Sequence, residues 1–355
     1  MASNSNPRIA LDVMGGDHAP QEIIAGAVLA ARELGIEILL AGPENVIRDE
    51  LARQNAADLP LSFEFTDDYI HMDEHPAEAV KARPNNSMSV CMRMIKEGKA
   101  AGMVTAGNSG AAVVAALLGL GRIKGVTRPA LGTVLPTATG KPTLLLDIGA
   151  TTDCKPGYLA QFALMGSAYM KHVFHSQNPL VGLLANGEEA GKGDQLVQAA
   201  YPLLKQMAQS GAITFHGNVE GRDITAGSAD VIVCDGFVGN VALKLSEGLS
   251  KMLLGIIKDE IYSSAINKIG GLILKGAFDN VRRKLDYEEY GGAPLLGVNG
   301  VVIVGHGSSH AKAIKNAIRV ARTAVEQQVP EKIAAGIQES AKIIENGQPA
   351  EAQND

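Results

Sequence analysis

Six short runs of apolar and β-branched residues each lead into a glycine-rich turn and then into a longer stretch with helical periodicity. Alternating strands and helices of this kind are typical of a mostly parallel sheet covered by helices on both faces. The pattern therefore predicts an α/β fold with three layers, α/β/α. In such sheets ligands bind beyond the carboxyl ends of the strands, so we expect the six turns to converge on one cleft. The turns span residues 15–18, 106–110, 149–153, 185–189, 235–240 and 305–310.

The composition excludes several classes of protein. With 355 residues, 46% hydrophobic and 20% charged, the chain can bury a large core as one domain or two coupled domains. A net charge of -6, 4% aromatic residues and no tryptophan provide neither the basic surface nor the stacking residues of a nucleic-acid binder. No apolar run approaches the roughly 20 residues of a membrane-spanning helix, although attachment to a membrane surface is compatible with the sequence.

The cysteines and histidines show no metal or disulfide pattern. Three scattered cysteines are too few for a disulfide framework or a paired zinc site, which favours a reducing compartment, the cytoplasm. Cys154 is better explained as an inert structural cysteine than as a nucleophile. His172 and His175 lie three residues apart with no nearby partner, so we expect no metal. Residues 1–7 carry no features of an export signal and are expected to be a disordered extension.

Two glycine-rich segments resemble nucleotide-binding motifs but do not match their spacing. Residues 119–125 have one residue too many for the dinucleotide fingerprint and lie at the end of a helix. Residues 187–193 are one residue short of a P-loop and lack the hydroxyl residue after the lysine. We therefore expect no nucleotide cofactor.

One segment departs from the alternation of strands and helices. From 241 to 262 apolar residues recur at helical spacing for longer than in an ordinary crossover helix, and 269–278 is apolar but interrupted by glycines. We predict a protruding helical hairpin at 241–285 within a single α/β domain at 8–330. Residues 331–355 are expected to form a C-terminal helix and tail.

The glycine-rich turns carry the groups that a small oxyanion requires. Backbone N–H groups at helix N-termini bind anions, and serine and asparagine side chains add donors. An ordinary capped connection explains any single turn better, as it does for Asp17 and Asp153. Six such turns together favour a ligand site.

A site that handles phosphate needs groups that hold the anion and groups that stabilise charge on an attacked carbonyl. Lys192 and Lys244 suit the first task, and the asparagines and His306 suit the second or the positioning of phosphate. The candidate catalytic residues are Asn108, Lys192, Asp235, Asn240, Lys244 and His306. The candidate substrate-binding residues are Gly15, Gly16, Asp17, Gly107, Ser109, Asn186, Gly236, Ser308 and Ser309.

Seven motifs follow one another in a characteristic order. They lie at 12–17, 105–110, 146–156, 186–193, 217–223, 235–240 and 290–297. Read together, they resemble the PlsX family of phosphate acyltransferases over residues 9 to 325. The chain departs from the family pattern at Thr151-Thr152, where the family usually has Asn followed by a small residue, so that amide is missing here.

The resemblance implies a homodimeric, cofactor-free enzyme with a fold related to those of phosphotransacetylases and isopropylmalate dehydrogenases. Such an enzyme moves a long-chain fatty acyl group from acyl carrier protein to inorganic phosphate. The acyl phosphate then serves a PlsY-type membrane glycerol-3-phosphate acyltransferase in phospholipid synthesis. The family also associates peripherally with the inner face of the cell membrane.

The hairpin is the part of the sequence that suits this association. Residues 251–284 carry seven Lys or Arg against three Asp or Glu, so apolar side chains could enter the lipid interface beside a basic rim. The same basic surface could receive the acidic carrier protein, and a dimer interface is an equally good explanation of the apolar face. The candidate contact residues are Leu272, Ile273, Leu274, Lys275, Phe278, Arg282, Arg283 and Lys284.

Three alternatives remain at the level of the sequence. A phosphotransacetylase-like enzyme that uses acyl-coenzyme A would share the fold and the phosphate chemistry. A decarboxylating dehydrogenase would need a cluster of metal-binding carboxylates that the sequence does not provide. A non-catalytic scaffold for lipid synthesis would not need ionisable residues in every turn.

Overall fold

The computed structural model describes residues 7–56, 58–285 and 287–346. Within these ranges one 11-stranded sheet has the strand order β3-β2-β1-β4-β11-β10-β5-β6-β9-β7-β8. The strands are β1 Ile9–Asp12, β2 Ile38–Gly42, β3 Leu61–Phe65, β4 Gly102–Thr105, β5 Ala130–Leu135, β6 Thr143–Leu146, β7 Leu180–Leu184, β8 Thr214–Val219, β9 Val231–Val233, β10 Ala293–Leu296 and β11 Val301–Val304.

Helices cover both faces of this sheet. They are α1 Gln21–Leu34, α2 Glu44–Arg53, α3 Pro76–Ala82, α4 Ser87–Lys96, α5 Ser109–Gly119, α6 Pro156–Val173, α7 Gln195–Gln209, α8 Gly221–Ala226, α9 Gly236–Tyr262, α10 Ala265–Leu285, α11 Ala311–Glu326 and α12 Val329–Asn346, with a short 3-10 helix at Tyr287–Tyr290. Along β1, Ile9 and Leu11 enter the core on one face and Ala10 enters the core on the other. The predicted three-layer α/β fold is confirmed.

The strand directions correct one prediction. β10 is antiparallel to both β11 and β5, and β5 is antiparallel to β6, so three reversals separate the two halves of the sheet. The turns after β1, β4 and β11 therefore lie at one edge, which we call the first edge. Those after β6, β7 and β9 lie at the opposite, second edge. The prediction that all six turns converge on one cleft is wrong, because short antiparallel connections at 136–142 and 297–300 reverse the chain.

The helices α9 and α10 form the predicted hairpin. α9 begins at the second edge, directly after β9, and runs for 27 residues. Large apolar side chains are exposed along both helices, with Ile266 and Ile273 each more than three-quarters accessible. No helix in the described ranges combines the length and apolar character that a membrane span requires.

A buried aspartate holds the turns of the first edge together. Asp12 lies at the end of β1 and accepts hydrogen bonds from the hydroxyls of Ser87 (2.6 Å) and Thr105 (2.7 Å). The Thr105 hydroxyl in turn accepts from the N–H of Gly107 at 3.0 Å. Burial raises the pKa of Asp12, and the hydroxyl hydrogen bonds oppose that shift. The network thus joins β1, α4 and the turn after β4.

A second buried aspartate does the same at the second edge. Asp147 follows β6 and accepts four backbone N–H groups. Oδ1 accepts from Leu131, Gly149 and Ala150, and Oδ2 accepts from Thr151 at 2.7 Å. Burial raises the pKa of Asp147 while these N–H groups oppose the shift. The carboxylate therefore shapes the turn after β6 and ties it to β5.

The substitution Asp147→Asn should destabilise the protein by about 2 kcal/mol, since the amide nitrogen of Asn would face the Thr151 N–H, donor to donor. Urea unfolding of the two proteins measures the difference. The matched control is Asp153→Asn, an exposed carboxylate in the same turn, which should change stability by less than about 0.5 kcal/mol. Equal stability of the two variants would contradict the proposed anchoring.

Two glycines of α9 should respond in opposite ways to alanine. A methyl group at Gly239 would overlap the backbone carbonyl oxygen of Asp147, whereas one at exposed Gly248 would meet nothing within 4 Å. We expect Gly239→Ala to cost about 3 kcal/mol or more. Gly248→Ala should stabilise the helix by about 0.5–1 kcal/mol. Thermal unfolding of both variants checks the pair, and a neutral Gly239→Ala would show that α9 does not start where the structure places it.

Candidate functional site

Three glycine-rich turns meet at the first edge of the sheet. The N–H of Asp17 donates to the carbonyl of Gly307 at 2.7 Å, and the N–H of Gly305 donates to the carbonyl of Thr105 at 2.7 Å. A side chain at Gly15 would stand 2.7 Å from the Gly107 nitrogen, so only glycine permits this approach of the two backbones. The structure therefore brings together the predicted residues of the turns after β1, β4 and β11.

The backbone at this edge presents hydrogen-bond donors. The N–H groups of Gly16, Ser109 and Gly110 have no partner among the described residues. Ser109 and Gly110 form the first turn of α5, where the helix dipole also favours an anion. The N-terminus of α11 differs, because the carboxylate of Glu22 accepts the N–H of Ala311 at 2.8 Å. The start of α5 is thus the better anion site.

His306 and Lys244 approach each other through a third residue. The Lys244 ammonium pairs with Glu247 at 2.9 Å, and the other carboxylate oxygen of Glu247 lies 3.8 Å from His306 Nε2. His306 Nδ1 lies 2.8 Å from the Ser308 hydroxyl. Because His306 follows β11 and Lys244 lies on α9, α9 reaches from the second edge to the first. Glu247 is not among the residues predicted from the sequence, although its position one helical turn after Lys244 is a usable signal.

Both polar atoms of the Asn108 side chain form hydrogen bonds within the protein. Its Oδ1 accepts the Ala111 N–H at 3.0 Å and caps α5, and its Nδ2 donates to the carbonyls of Met72 (3.0 Å) and Glu74 (3.3 Å). Ser309 is almost completely buried, so its hydroxyl faces the protein. The hydrogen bonds of Asn108 therefore hold the turn after β4 in shape.

The predicted residues at the second edge hold the start of α9. Asp235 caps the helix by accepting the N–H groups of Phe237 and Val238. Gly236 donates its N–H to the carbonyl of Thr151 at 2.8 Å, and Asn240 donates to the carbonyl of Ile148 at 3.0 Å. The departure from the family pattern at Thr151-Thr152 therefore leaves the backbone contacts of this turn in place.

Asn186 and Lys192 lie in the loop after β7. The Asn186 Oδ1 accepts the Gly193 N–H at 2.8 Å. The exposed Lys192 ammonium has no ion pair or hydrogen bond within the described part of the chain. Among the described residues, the hydrogen bonds of this loop go to its own residues, to α7, to β8 and to Arg222, and none goes to the first edge. A role for Lys192 stays a prediction.

The cysteines are unsuited to covalent catalysis. Burial raises the pKa of Cys154 to about 12, with nearby carboxylates adding to the shift. Cys91 and Cys234 are buried, and burial also raises their pKa values well above the usual range. These thiols are therefore protonated at neutral pH and weakly nucleophilic.

The hairpin residues predicted to contact a membrane or a carrier protein are largely accessible. Leu272, Ile273, Leu274 and Lys275 are exposed, and Phe278 is half-buried. The side chains of Arg282, Arg283 and Lys284 lie outside the described residues.

Solved structures confirm the fold. A phosphotransacetylase from Streptococcus pyogenes superposes with a TM-score of 0.61 at 17% identity, covering 91% of this chain and 95% of that one. A branched-chain phosphotransacylase from Enterococcus faecalis gives 0.56 at 12% identity, covering 90% and 99%. A putative 4-hydroxythreonine-4-phosphate dehydrogenase from Salmonella typhimurium gives 0.52 at 12% identity, covering 90% and 99%. At these identities the likeness shows the fold alone.

Sequence relatives extend over nearly the whole chain. A phosphate acyltransferase of Dictyoglomus turgidum is 49% identical over 340 residues, covering 96% of this chain and 99% of the relative. A phosphate acyltransferase of Pelotomaculum thermopropionicum is 51% identical over 331 residues, covering 93% and 95%. The family model described as fatty acid synthesis protein matches residues 7–332. The chain therefore belongs to this family, that of the PlsX-type phosphate acyltransferases that its motifs resemble.

Proposed function

We propose that the protein transfers a long-chain fatty acyl group from acyl carrier protein to inorganic phosphate, giving acyl phosphate and free carrier protein. The observation that carries this proposal is the first edge, where three glycine-rich turns meet. Two of them present N–H groups that have no partner among the described residues, and the third places His306 beside Glu247 and Lys244. Relatives named phosphate acyltransferase support the choice of reaction.

In this mechanism a phosphate oxygen attacks the thioester carbonyl directly. The new C–O bond forms a tetrahedral intermediate, and the C–S bond then breaks to release the carrier protein thiolate, which takes up a proton. Phosphate is already an anion at neutral pH, so orientation and stabilisation of the oxyanion account for most of the catalysis. The high pKa of Cys154 supports direct attack rather than an acyl-enzyme.

Each group at the first edge has a task in this scheme. The N–H groups of Gly16, Ser109 and Gly110 hold the phosphate, and Lys244 supplies the positive charge near it. We assign His306 the task of donating to the developing oxyanion or to the leaving sulfur. Asn108 acts as a positioning residue, since its amide is already bonded within the protein. Asp235 and Asn240 fix the start of α9 and, through it, Lys244.

The substitution Lys244→Met should raise the KM for phosphate about tenfold or more, since it removes the cation while the rest of the turn structure stays. Mass-spectrometric detection of acyl phosphate at varied phosphate concentrations measures this. Lys192→Met tests the predicted second lysine in the same assay, and exposed Lys258→Met on the same helix serves as the control. An unchanged phosphate dependence in the double variant of Lys192 and Lys244 would overturn the lysine assignments.

The acyl donor is tested with the same product assay. Acyl phosphate from palmitoyl-acyl carrier protein alone supports the proposed donor. Product from palmitoyl-coenzyme A alone favours the phosphotransacetylase-like alternative. No product from either donor, with binding of carrier protein retained, indicates the non-catalytic scaffold.

The hairpin of α9 and α10 carries the proposed associations of the protein. We propose that its apolar face supports a homodimer and peripheral contact with the inner membrane surface, where a PlsY-type acyltransferase would receive the acyl phosphate. The exposed Leu272, Ile273 and Leu274 beside Lys275 support the membrane contact, because apolar side chains flanked by cations suit an anionic lipid surface.

The substitution Ile273→Glu should weaken binding to vesicles of anionic phospholipid about tenfold. An isoleucine side chain that becomes buried in the lipid interface contributes roughly 1.5–3 kcal/mol to binding. Vesicle flotation measures binding and light scattering measures the mass in solution. Leu118→Glu, an exposed leucine on α5, is the control. Unaltered vesicle binding together with loss of the dimer would assign this residue to the dimer interface instead.

A further inference from the structure

A cavity of about 220 Å³ lies next to the first edge of the sheet. One wall is the turn after β1. The other belongs to residues 66–75, which connect β3 to α3 and which we call the cover segment. The lining residues are Met14, Gly16, Ala19, Tyr69, Ile70, His71 and Met72. None of the residues predicted from the sequence lies in the cover segment.

The cover segment is held in place at several points. Arg83 donates to the carbonyl of Tyr69 at 2.7 Å and pairs with Glu74. The N–H of Ser87 donates to the carbonyl of Asp68 at 2.8 Å. Asn108 adds its two hydrogen bonds to the carbonyls of Met72 and Glu74. The cavity therefore has fixed walls, and one of them is attached to the turn after β4.

The cavity borders the proposed phosphate site. Gly16 lines the cavity, and a Cβ at Gly16 would lie 3.2 Å from the carbonyl oxygen of Gly307. On the other wall, the Met72 methyl lies 2.8 Å from where a Cβ of Gly307 would stand. A ligand in the cavity would thus lie against the same glycines that shape the first edge.

The lining is mixed in chemistry. Met14, Ala19, Ile70 and Met72 supply carbon surface. Tyr69 and His71 pack edge to face, 4.8 Å apart, and supply polar groups. A saturated acyl chain would offer the Tyr69 hydroxyl and the His71 ring no hydrogen-bond partner. A linear ligand in which amide groups alternate with short methylene stretches matches both kinds of surface.

We propose that this cavity binds the pantetheine arm of the acyl donor and so places its thioester at the first edge. The inference rests on the proposed function, because it takes the donor to be a thioester. Acyl carrier protein and coenzyme A share this arm, and the cavity recognises the arm rather than the rest of either molecule.

Narrowing the cavity from each wall tests the inference. Ala19→Leu fills it from the turn after β1, and Met72→Trp fills it from the cover segment. Exposed Ala52→Leu on α2 is the matched control. Three donors are compared: palmitoyl-acyl carrier protein, palmitoyl-coenzyme A and the palmitoyl thioester of N-acetylcysteamine, which lacks most of the arm. Calorimetry with unacylated coenzyme A, and with carrier protein that bears the arm, measures the affinity of the cavity for the arm in the absence of turnover.

We expect both cavity variants to raise the KM for the two pantetheine donors about tenfold. The KM for phosphate and the rate with the N-acetylcysteamine thioester should stay unchanged. Equal losses with all three donors would place the acyl chain in the cavity, and a raised KM for phosphate would make it part of the anion site. Either result, or no effect, overturns the inference. A different pair of results would overturn the proposed function but not the inference. In that case the wild-type protein forms no acyl phosphate, and the Ala19→Leu variant binds the pantetheine arm less tightly than the wild-type protein does.

Discussion

Each edge of the sheet has one buried carboxylate that collects hydrogen bonds from several chain segments. At the first edge, Asp12 joins β1, α4 and the turn after β4, and at the second edge Asp147 joins the turn after β6 to β5. A buried acceptor of this kind leaves several donors unsatisfied when it is removed, so the turns depend on it together. Glycines then allow the backbones of the turns after β1 and β4 to approach each other closely at the first edge, where we propose the anion site.

The reversal of strand direction gives α9 its importance. Because the two halves of the sheet run in opposite directions, the turns after β9 and β11 lie at opposite edges. The contact between His306 and Glu247 shows that α9 crosses from one edge to the other. Lys244 follows β9 in the sequence, but it therefore lies near the turns that follow β1, β4 and β11 in the other half of the sheet.

The sequence predicted the architecture and much of the first edge, because burial on both sheet faces leaves a readable pattern of apolar runs and glycine turns. It could not predict which turns meet, since strand direction depends on pairing between distant segments such as β5 with β6. It also assigned Asn108 to catalysis on its residue type. The carbonyls of Met72 and Glu74 that bind its amide lie 36 and 34 residues away, and nothing local indicates them.

Helix α9 has 27 residues, which at 1.5 Å per residue makes a rod of about 40 Å. Asp235 and Asn240 hold the start of the helix, its third and fourth turns carry Lys244 and Glu247, and its remaining length bears exposed apolar side chains. A stiff rod has one orientation for all of its parts. In the proposed function, a change in the angle of α9 would therefore alter two things together: how its apolar surface meets a lipid or a second subunit, and how far the Lys244 ammonium lies from the phosphate.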